Sequence, residues 1–333
     1  MKGAVAAGHR LTAEAAAEIL RDGGNAFDAV IAGFWVACVA EPVLVSLGGG
    51  GHLLARVGDG SSRVFDFFAH TPKTKSRDGD EADFRTVTVD FGAARQAFHI
   101  GLGACATPGA VRGMFSVHRR LASMPMRELA RPAIELARAG VAVNAFQSYL
   151  LGLVAPIYRT ASAFPLFASE SSKGELARAG DVLRNPRLAD VLEALSREGD
   201  ALFYRGEIAR RIVEQSRAGG WLTRADLRDY EVFERDALEV EYRGHRLATN
   251  PPPSAGGLLI NLGFESLARC AFACDGIGGA AHVGAIAQAL QAIAQARDQH
   301  CAEDLRADSP PSDSLARICR RVLARERAAR GTT

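Results

Sequence analysis

Residues 19–29 have the sequence ILRDGGNAFDA and join two segments with a helical pattern of apolar residues. The glycine pair inside this stretch ends the first helix, for which Thr12 is the predicted N-cap. Residues 27–40 are apolar on most sides of a helix. That helix must end before Pro42, because a residue that precedes proline is disfavoured in the α region. A helix with so few polar positions belongs in the interior of a folded domain.

The length and composition are those of a globular protein. The chain has 333 residues, of which 48% are hydrophobic and 23% are charged. These proportions exclude collagen-like and wholly disordered proteins. Lysines and arginines number 40 against 38 acidic residues, so the formal net charge is only +2. A balance so close to neutral gives no reason to expect nucleic acid as a partner.

Neither a membrane span nor a secretory leader is visible in the sequence. The longest nearly unbroken apolar run, residues 29–40, has twelve residues, whereas a bilayer span needs about 18 to 20. No apolar stretch that follows Lys2 is long enough for the core of a signal peptide. We therefore expect a cytoplasmic protein that has no membrane partner. We also expect reduced cysteines, since the six are thinly spread: Cys38, Cys105, Cys270, Cys274, Cys301 and Cys319.

The remaining pattern predicts a mixture of helices and strands. Residues 52–57 and 63–68 predict a β-hairpin, and residues 73–85 an exposed loop. Two more strands are predicted at 238–242 and 245–249. Further helical patterns occur at residues 110–121, 126–139, 187–198, 206–218 and 223–227, and from Leu258 and Ala281. Because no repeat or linker divides the chain, these elements predict one domain of α and β layers.

Two glycine motifs fail the tests for nucleotide binding. The run Gly48–Gly51 is followed by His52, where a P-loop has lysine. We therefore expect these glycines to permit close approach of a neighbouring backbone or ligand. Residues 101–106 match a relaxed dinucleotide fingerprint, but residues 96–100 make a poor buried strand. The sequence thus predicts no organic cofactor.

Metal sites and a serine triad also find no support in the sequence. Cys270 and Cys274 lack the paired spacing of a structural zinc site, and so does the pair His300-Cys301. No G-x-S-x-G elbow is present to supply a serine nucleophile. We expect no metal, and we expect the thiols to be small buried side chains.

Read in order, several motifs resemble the γ-glutamyltranspeptidase family over essentially the whole chain. They are residues 3–9 (GAVAAGH), 19–29, 41–42 (EP), 48–51 (GGGG), 107–113 (TPGAVRG), 132–140 (PAIELARAG), 203–206 (FYRG), 222–227 (LTRADL) and 251–257 (PPPSAGG). The resemblance implies the N-terminal-nucleophile hydrolase fold, an α+β four-layer αββα sandwich. It also implies that residues 1–333 are the large subunit. They would form a single domain with a small subunit cut from the same precursor.

The resemblance implies a threonine nucleophile at or just beyond the end of this chain. The small subunit of that family begins with the catalytic threonine in a Thr-Thr/Ala-His type motif, and this chain ends Gly331-Thr332-Thr333. Thr332 is the nucleophile if the small-subunit motif starts here; otherwise the nucleophile lies on the partner chain. An N-terminal threonine needs no separate base, because its own α-amine, with a pKa of about 8, can take the hydroxyl proton.

One segment departs from the family pattern. In the family, the strand after the glycine loop normally ends Asp-Phe/Ala-Arg-Glu-x-Ala-Pro, and its arginine pairs with the α-carboxylate of the glutamyl group. Residues 66–72 read DFFAHTP here, so Phe68 stands in the place of that arginine. A bidentate contact to a carboxylate is then missing. We take Phe68 and His70 as the candidate substrate-binding residues, with His70 or Arg85 as possible replacements for the charge.

Three functions remain open at this point. The first is a self-processing γ-glutamyltransferase or glutathione hydrolase that passes a γ-glutamyl or related acyl group to water or an amine. The second is an acylase or amidase of the same fold for a non-glutamyl acyl group, which the phenylalanine at position 68 favours. The third is a self-cleaving relative that has lost catalysis and serves as a binding protein. The expected partners of an active enzyme are the small subunit and a small-molecule amide.

Overall fold

The computed structural model of the chain contains both helices and strands, which confirms the predicted α+β class. It describes residues 3–74, 81–160, 162–268 and 276–297. The helices are α1 (Arg10–Arg21), α2 (Ala26–Ala40), α3 (Ala110–Leu121), α4 (Met126–Ala139), α5 (Ala145–Leu153), α6 (Ala155–Tyr158), α7 (Phe164–Phe167), α8 (Pro186–Glu198), α9 (Ala201–Tyr204), α10 (Glu207–Ser216), α11 (Arg224–Arg228), α12 (Ala255–Ala268) and α13 (Ala280–Ala296). The strands are β1 (Gly51–Arg56), β2 (Ser62–Phe67), β3 (Arg85–Asp90), β4 (Arg95–Ile100), β5 (Val141–Ala142), β6 (Val182–Leu183), β7 (Phe233–Asp236), β8 (Leu238–Tyr242) and β9 (His245–Thr249). No helix of the described residues is long and apolar enough to cross a membrane.

The first of two compact units is mainly helical and consists of Met1–Gly51 and Phe67–Val232. Helix α2 packs against α1, α3 and α4 and is buried along most of its length, with Trp35 only 1% exposed. This confirms the buried helix predicted for residues 27–40. Helix α4 also packs against α8, so the core of this unit is a set of helix–helix contacts.

The start of α1 differs from the prediction. The N-cap is His9, whose Nδ1 atom accepts a hydrogen bond from the backbone N–H of Leu11 at 3.2 Å. Thr12 lies inside the helix and is buried, and its hydroxyl donates to the Glu41 carboxylate at 2.8 Å. The prediction of Thr12 as the N-cap was therefore wrong. Its hydroxyl serves a tertiary contact with the end of α2 instead.

A buried carboxylate holds the start of α2. Asp28 accepts hydrogen bonds from the backbone N–H of Asn25 at 2.8 Å and from the backbone N–H groups of Ser123 and Met124 at 3.0 Å each. The Ser123 hydroxyl donates to the same carboxylate at 2.6 Å. Burial alone would raise the pKa of Asp28, but these hydrogen bonds outweigh it and hold the pKa below its usual value. Asp28 thereby ties the first turn of α2 to the connection between α3 and α4.

The second compact unit consists of His52–Asp66 and Phe233–Thr333. Its three-stranded sheet has the order β1-β2-β7, which confirms the predicted hairpin, and β7 runs antiparallel to β2. Strands β8 and β9 pair around Arg243 and Gly244, as predicted. Helices α12 and α13 pack against each other, and α12 also contacts β8.

The exposed hairpin of β3 and β4 was not predicted. Residues 85–90 pair antiparallel with residues 95–100, so the predicted loop ends where β3 begins. Its residues 75–80 lie outside the described part of the chain. Most positions on both strands are exposed, and the alternation is confined to Val87 and Val89 on β3 and to Phe98 and Ile100 on β4. Two positions on each strand make too short a pattern to identify a half-buried strand from the sequence.

Two of the six cysteines lie in the described part of the chain, and both are free thiols. Cys38 is buried and Cys105 is exposed. Burial raises the pKa of Cys38 well above its usual range, and burial followed by the charge of Asp83 raises that of Cys105. These two thiols therefore stay protonated at neutral pH. The other four cysteines, together with His300, lie outside the described residues.

Candidate active site

Three backbone segments of the first unit lie against one another, and we call them the platform: residues 49–50, 67–70 and 107–109. The carbonyl oxygen of Gly49 accepts hydrogen bonds from the backbone N–H groups of Gly109 and Ala110, both at 2.9 Å. His70 and Thr107 exchange two backbone hydrogen bonds, at 3.1 and 2.7 Å. The glycine run, the segment after β2 and the start of α3 are therefore joined main chain to main chain.

Glycine is required at two positions of the platform. A Cβ atom on Gly50 would lie 2.5 Å from the backbone nitrogen of Ala69 and 2.9 Å from the carbonyl oxygen of Phe67. A Cβ atom on Gly109 would collide with the same carbonyl oxygen and with the hydroxyl of Tyr230. Neither site can accept a side chain without a shift of the backbone. The steric role predicted for the glycine run is confirmed at Gly50.

The platform carries both predicted substrate-binding residues. Phe68 directly follows β2 and is 58% exposed. The ring of His70 lies 4.7 Å from the ring of Tyr230, measured between centroids. The Tyr230 hydroxyl donates a hydrogen bond to the Phe68 carbonyl oxygen at 2.8 Å. Phe68 thus presents an aromatic surface to solvent from a backbone that is held in place.

Two stacked tyrosines support the platform from its buried side. The rings of Tyr204 and Tyr230 are nearly parallel, 5.7 Å apart between centroids. The Tyr204 hydroxyl donates to the carbonyl oxygen of Pro108 at 2.9 Å and accepts from the backbone N–H of Arg112 at 3.1 Å. The guanidinium of Arg112 lies 4.3 Å from the centre of the Tyr204 ring and 3.2 Å from the Asp200 carboxylate. Burial raises the pKa of Tyr204 far above its usual range, so this hydroxyl keeps its proton.

The other residues considered from the sequence do not join this cluster in the described structure. Arg85, a candidate replacement for the missing charge, lies on β3 with its Nε atom 3.0 Å from the Asp83 carboxylate, and most of its side chain is exposed. Its charge is therefore already paired. Thr332, the candidate nucleophile, lies outside the described residues. No group of three or more potential metal ligands occurs among the residues described.

In the second unit, an ionic cluster spans the three-stranded sheet. Asp66 on β2 is only 5% exposed. Its Oδ2 atom accepts a hydrogen bond from Nε of Arg235 on β7 at 2.9 Å, and its Oδ1 atom lies 3.3 Å from Nε2 of His52 on β1. Sequence reasoning missed this cluster. The signal available was Asp66 itself, a charged residue at a buried position of a strand.

Comparison of the sequence with known proteins identifies the family of the chain. The sequence model that describes the gamma-glutamyltranspeptidase family matches residues 12–330 of this chain. The chain belongs to the γ-glutamyltranspeptidase family. It is similar to the glutathione hydrolase proenzyme of Escherichia coli (strain K12), with 32% identity over 272 residues that cover 78% of this chain and 44% of that protein. It is also similar to the acylase ACY 1 proenzyme of Pseudomonas sp. (strain V22), with 30% identity over 292 residues, 87% of this chain and 52% of that protein.

A solved member of the γ-glutamyltranspeptidase family has the same fold. The γ-glutamyltranspeptidase of Pseudomonas nitroreducens, in complex with L-DON, aligns with a TM-score of 0.80 and 27% identity. The alignment covers 96% of this chain and 93% of that one. The fold that the motifs implied is confirmed. The chain spans about half the length of the curated relatives it matches.

Proposed function

We propose that this chain is the large-subunit part of a self-processing threonine amidohydrolase that passes an acyl group to water or an amine. The match of the family model over residues 12–330 is the observation that carries the proposal. The names of the relatives agree with it, since they include a glutathione hydrolase proenzyme and an acylase proenzyme. Residues 1–333 would then share a single domain with a small subunit from the same precursor.

One feature of the second unit supports the small subunit as a partner. On α13, Val283, Ile286 and Leu290 lie at helical spacing and are all exposed. Apolar side chains at such spacing form one stripe along the helix, which is the pattern of a face that packs against another element. We assign the cover of this apolar stripe to the remainder of the precursor.

The proposed chemistry uses a single threonine for two roles. Its hydroxyl attacks the amide carbonyl while its free α-amine takes the hydroxyl proton. The carbonyl oxygen becomes an oxyanion, which backbone N–H donors stabilise. The C–N bond then breaks, the proton passes to the leaving amine, and the acyl group stays on the threonine oxygen as an ester. Water or an acceptor amine attacks that ester and regenerates the hydroxyl. We propose Thr332, or the first residue of the partner chain, as this threonine.

Phe68 favours the acylase form of this activity. In the sequence, Phe68 occupies the motif position of the family arginine, and a phenyl ring offers no donor to a carboxylate. An exposed aromatic face instead removes apolar surface of an acyl group from water. We therefore propose that Phe68 and His70 contact the acyl group, and that an apolar or aromatic acyl group is preferred over γ-glutamyl.

Expression of the full precursor tests the proposal. Intact mass spectrometry with N-terminal sequencing should find a second, smaller polypeptide that begins with threonine. A start at residue 332 identifies Thr332 as the nucleophile, and Thr332→Ala should then leave the precursor uncut. Thr88→Ala, on the exposed strand β3, is the matched control and should mature normally. A homogeneous chain that never cleaves and hydrolyses no amide would contradict the proposal.

A substrate panel separates the three functions. The mature enzyme is assayed with the 4-nitroanilides of phenylacetate and of γ-glutamate, the latter with and without an acceptor amine. Faster hydrolysis of the phenylacetyl compound supports the acylase. Preference for the γ-glutamyl compound supports the transferase and contradicts the assignment of Phe68. Correct maturation without turnover of these or any other amides would favour the silent binding protein.

A further inference from the structure

The hydroxyl of Tyr230 lies between two segments of the platform. It donates to the carbonyl oxygen of Phe68 at 2.8 Å, and a Cβ atom on Gly109 would collide with it. It therefore occupies the space that the absent side chain of Gly109 leaves. In this position it holds the peptide group that carries Phe68 against the start of α3.

The ring of Tyr230 is itself held on two sides. It lies 5.7 Å from the ring of Tyr204 at an interplanar angle of 17° and 4.7 Å from the ring of His70 at 45°. Tyr230 is 2% exposed and Tyr204 is fully buried. Close packing of three rings leaves Tyr230 little freedom to turn, so its hydroxyl has a fixed position.

The chain segment that carries Tyr230 is anchored near the platform as well. Thr223 is the N-cap of α11, and Asp226 completes the capping box by accepting from the backbone N–H of Thr223 at 2.8 Å. Asp226 also accepts from the Thr223 hydroxyl at 2.6 Å and from the backbone N–H of Lys73 at 2.8 Å. Lys73 lies three residues after His70. Burial acts to raise the pKa of Asp226, but these hydrogen bonds hold it below its usual value, so this carboxylate stays ionised at neutral pH.

We propose that Tyr230 is a positioning residue that fixes the backbone at residue 68 and thereby sets the selectivity for the acyl group. The inference rests on the proposed function in one respect, namely that residue 68 contacts the acyl group. A recognition side chain is effective only when its own backbone is held in the productive geometry. The carbonyl that Tyr230 holds belongs to residue 68 itself, so loss of the hydroxyl acts on that side chain directly.

The test compares Tyr230→Phe with Tyr158→Phe in the full precursor. Tyr158 is a matched control, because its hydroxyl also donates to a backbone carbonyl, that of Val43 at 3.0 Å, and its ring also packs on an aromatic ring, that of Phe167. Hydrogen exchange is followed at the backbone amides of residues 70 and 109. The ratio of KM values for the phenylacetyl and γ-glutamyl anilides is measured on the mature enzymes.

Tyr230→Phe should speed exchange at both amides and change the KM ratio by about fivefold, the factor that corresponds to one neutral hydrogen bond. Its kcat should change less than about twofold, since the nucleophile is untouched. Tyr158→Phe should change none of these quantities. Tyr204→Phe, which removes the hydroxyl that donates to Pro108 but keeps the stack, should speed exchange at residue 109 more than at residue 70.

Unchanged exchange in Tyr230→Phe overturns the inference. Equal changes in Tyr158→Phe also overturn it, and so does faster exchange with an unchanged KM ratio. If the wild-type enzyme hydrolyses neither anilide, the proposed function fails separately, and the exchange at residues 70 and 109 alone decides whether Tyr230 positions the platform.

Discussion

The Oδ2 atom of Asp66 accepts a hydrogen bond from Nε of Arg235 at 2.9 Å across two antiparallel strands. Asp66 is paired with Phe233 in the register, so Arg235 lies two positions along β7 on the same face of the sheet. Asp66 is the more buried partner, since the Arg235 side chain remains 31% exposed. A carboxylate in that position is stable only while its partners are present. The pair thus adds a charged contact to the backbone pairing of β2 with β7.

Replacing Asp66 by asparagine should destabilise the protein. Asp66→Asn removes the charged partner of the Arg235 guanidinium, which typically costs about 1 to 2 kcal/mol because the Arg235 side chain is 31% exposed and solvent partly screens its charge. Urea unfolding of the mature protein should show a lower midpoint with an unchanged slope. Asp59→Asn, at the exposed turn between β1 and β2, is the control and should keep the wild-type midpoint. Equal midpoints for the two variants would contradict this account of Asp66.

Stability should fall in acid partly through Asp28. Because hydrogen bonds lower the pKa of Asp28 in the folded state, its stabilising effect is complete above the unfolded pKa of about 3.9 and is lost as the pH falls through the lower folded value. Asp28→Asn should therefore flatten the decline of unfolding free energy below about pH 4. Ser123→Ala, which removes one of the donors, should flatten it in part. Urea midpoints between pH 5 and pH 2.5 measure the slopes, and a steeper or unchanged slope in Asp28→Asn would refute the assignment.

The helices were predictable wherever local signals agreed. Residues 27–40 carry a continuous apolar pattern between a glycine pair and a proline, and α2 has nearly those bounds. The N-cap of α1 was not predictable in the same way. Thr12 has the side chain of a typical cap, but its hydroxyl bonds to Glu41, 29 positions away in the chain. A local sequence pattern holds no information about a hydrogen-bond partner so distant in the chain, so it cannot show that the hydroxyl is used there and not as a cap.

The site was predictable only where its residues are contiguous. Phe68 and His70 belong to a single motif, so their place on one segment followed from the sequence. Tyr230 and Phe68 are 162 positions apart, and Tyr204 lies at the end of a third segment, helix α9. Such long-range contacts arise from the packing of whole elements and leave no periodicity in the sequence.

Gly109 should tolerate no side chain. Gly109→Ala forces the new methyl group against the Phe67 carbonyl and the Tyr230 hydroxyl, and overpacking of this kind costs about 2 to 3 kcal/mol. Gly152→Ala is the control, because a Cβ atom there meets no atom within 4 Å and alanine favours the helix by up to about 1 kcal/mol. Thermal unfolding of the mature proteins should place Gly109→Ala below wild type and Gly152→Ala at or above it. If Gly109→Ala unfolded at a higher temperature than Gly152→Ala, the backbone of the platform would be able to shift at little energetic cost when Gly109 is replaced.

Placing an arginine at position 68 should shift the selectivity toward γ-glutamyl substrates. Phe68→Arg puts a guanidinium at a residue that is 58% exposed, so the fold is not strained and the new charge can reach a carboxylate. A charge-assisted bidentate contact is worth about 2 kcal/mol or more. The ratio of kcat/KM for the γ-glutamyl over the phenylacetyl anilide should therefore rise by at least about tenfold. Phe68→Leu, apolar but without a ring, should keep the preference for the apolar acyl group. An equal ratio in Phe68→Arg and wild type would mean that residue 68 does not face the acyl group, because a cation so close to an α-carboxylate cannot leave its binding unchanged.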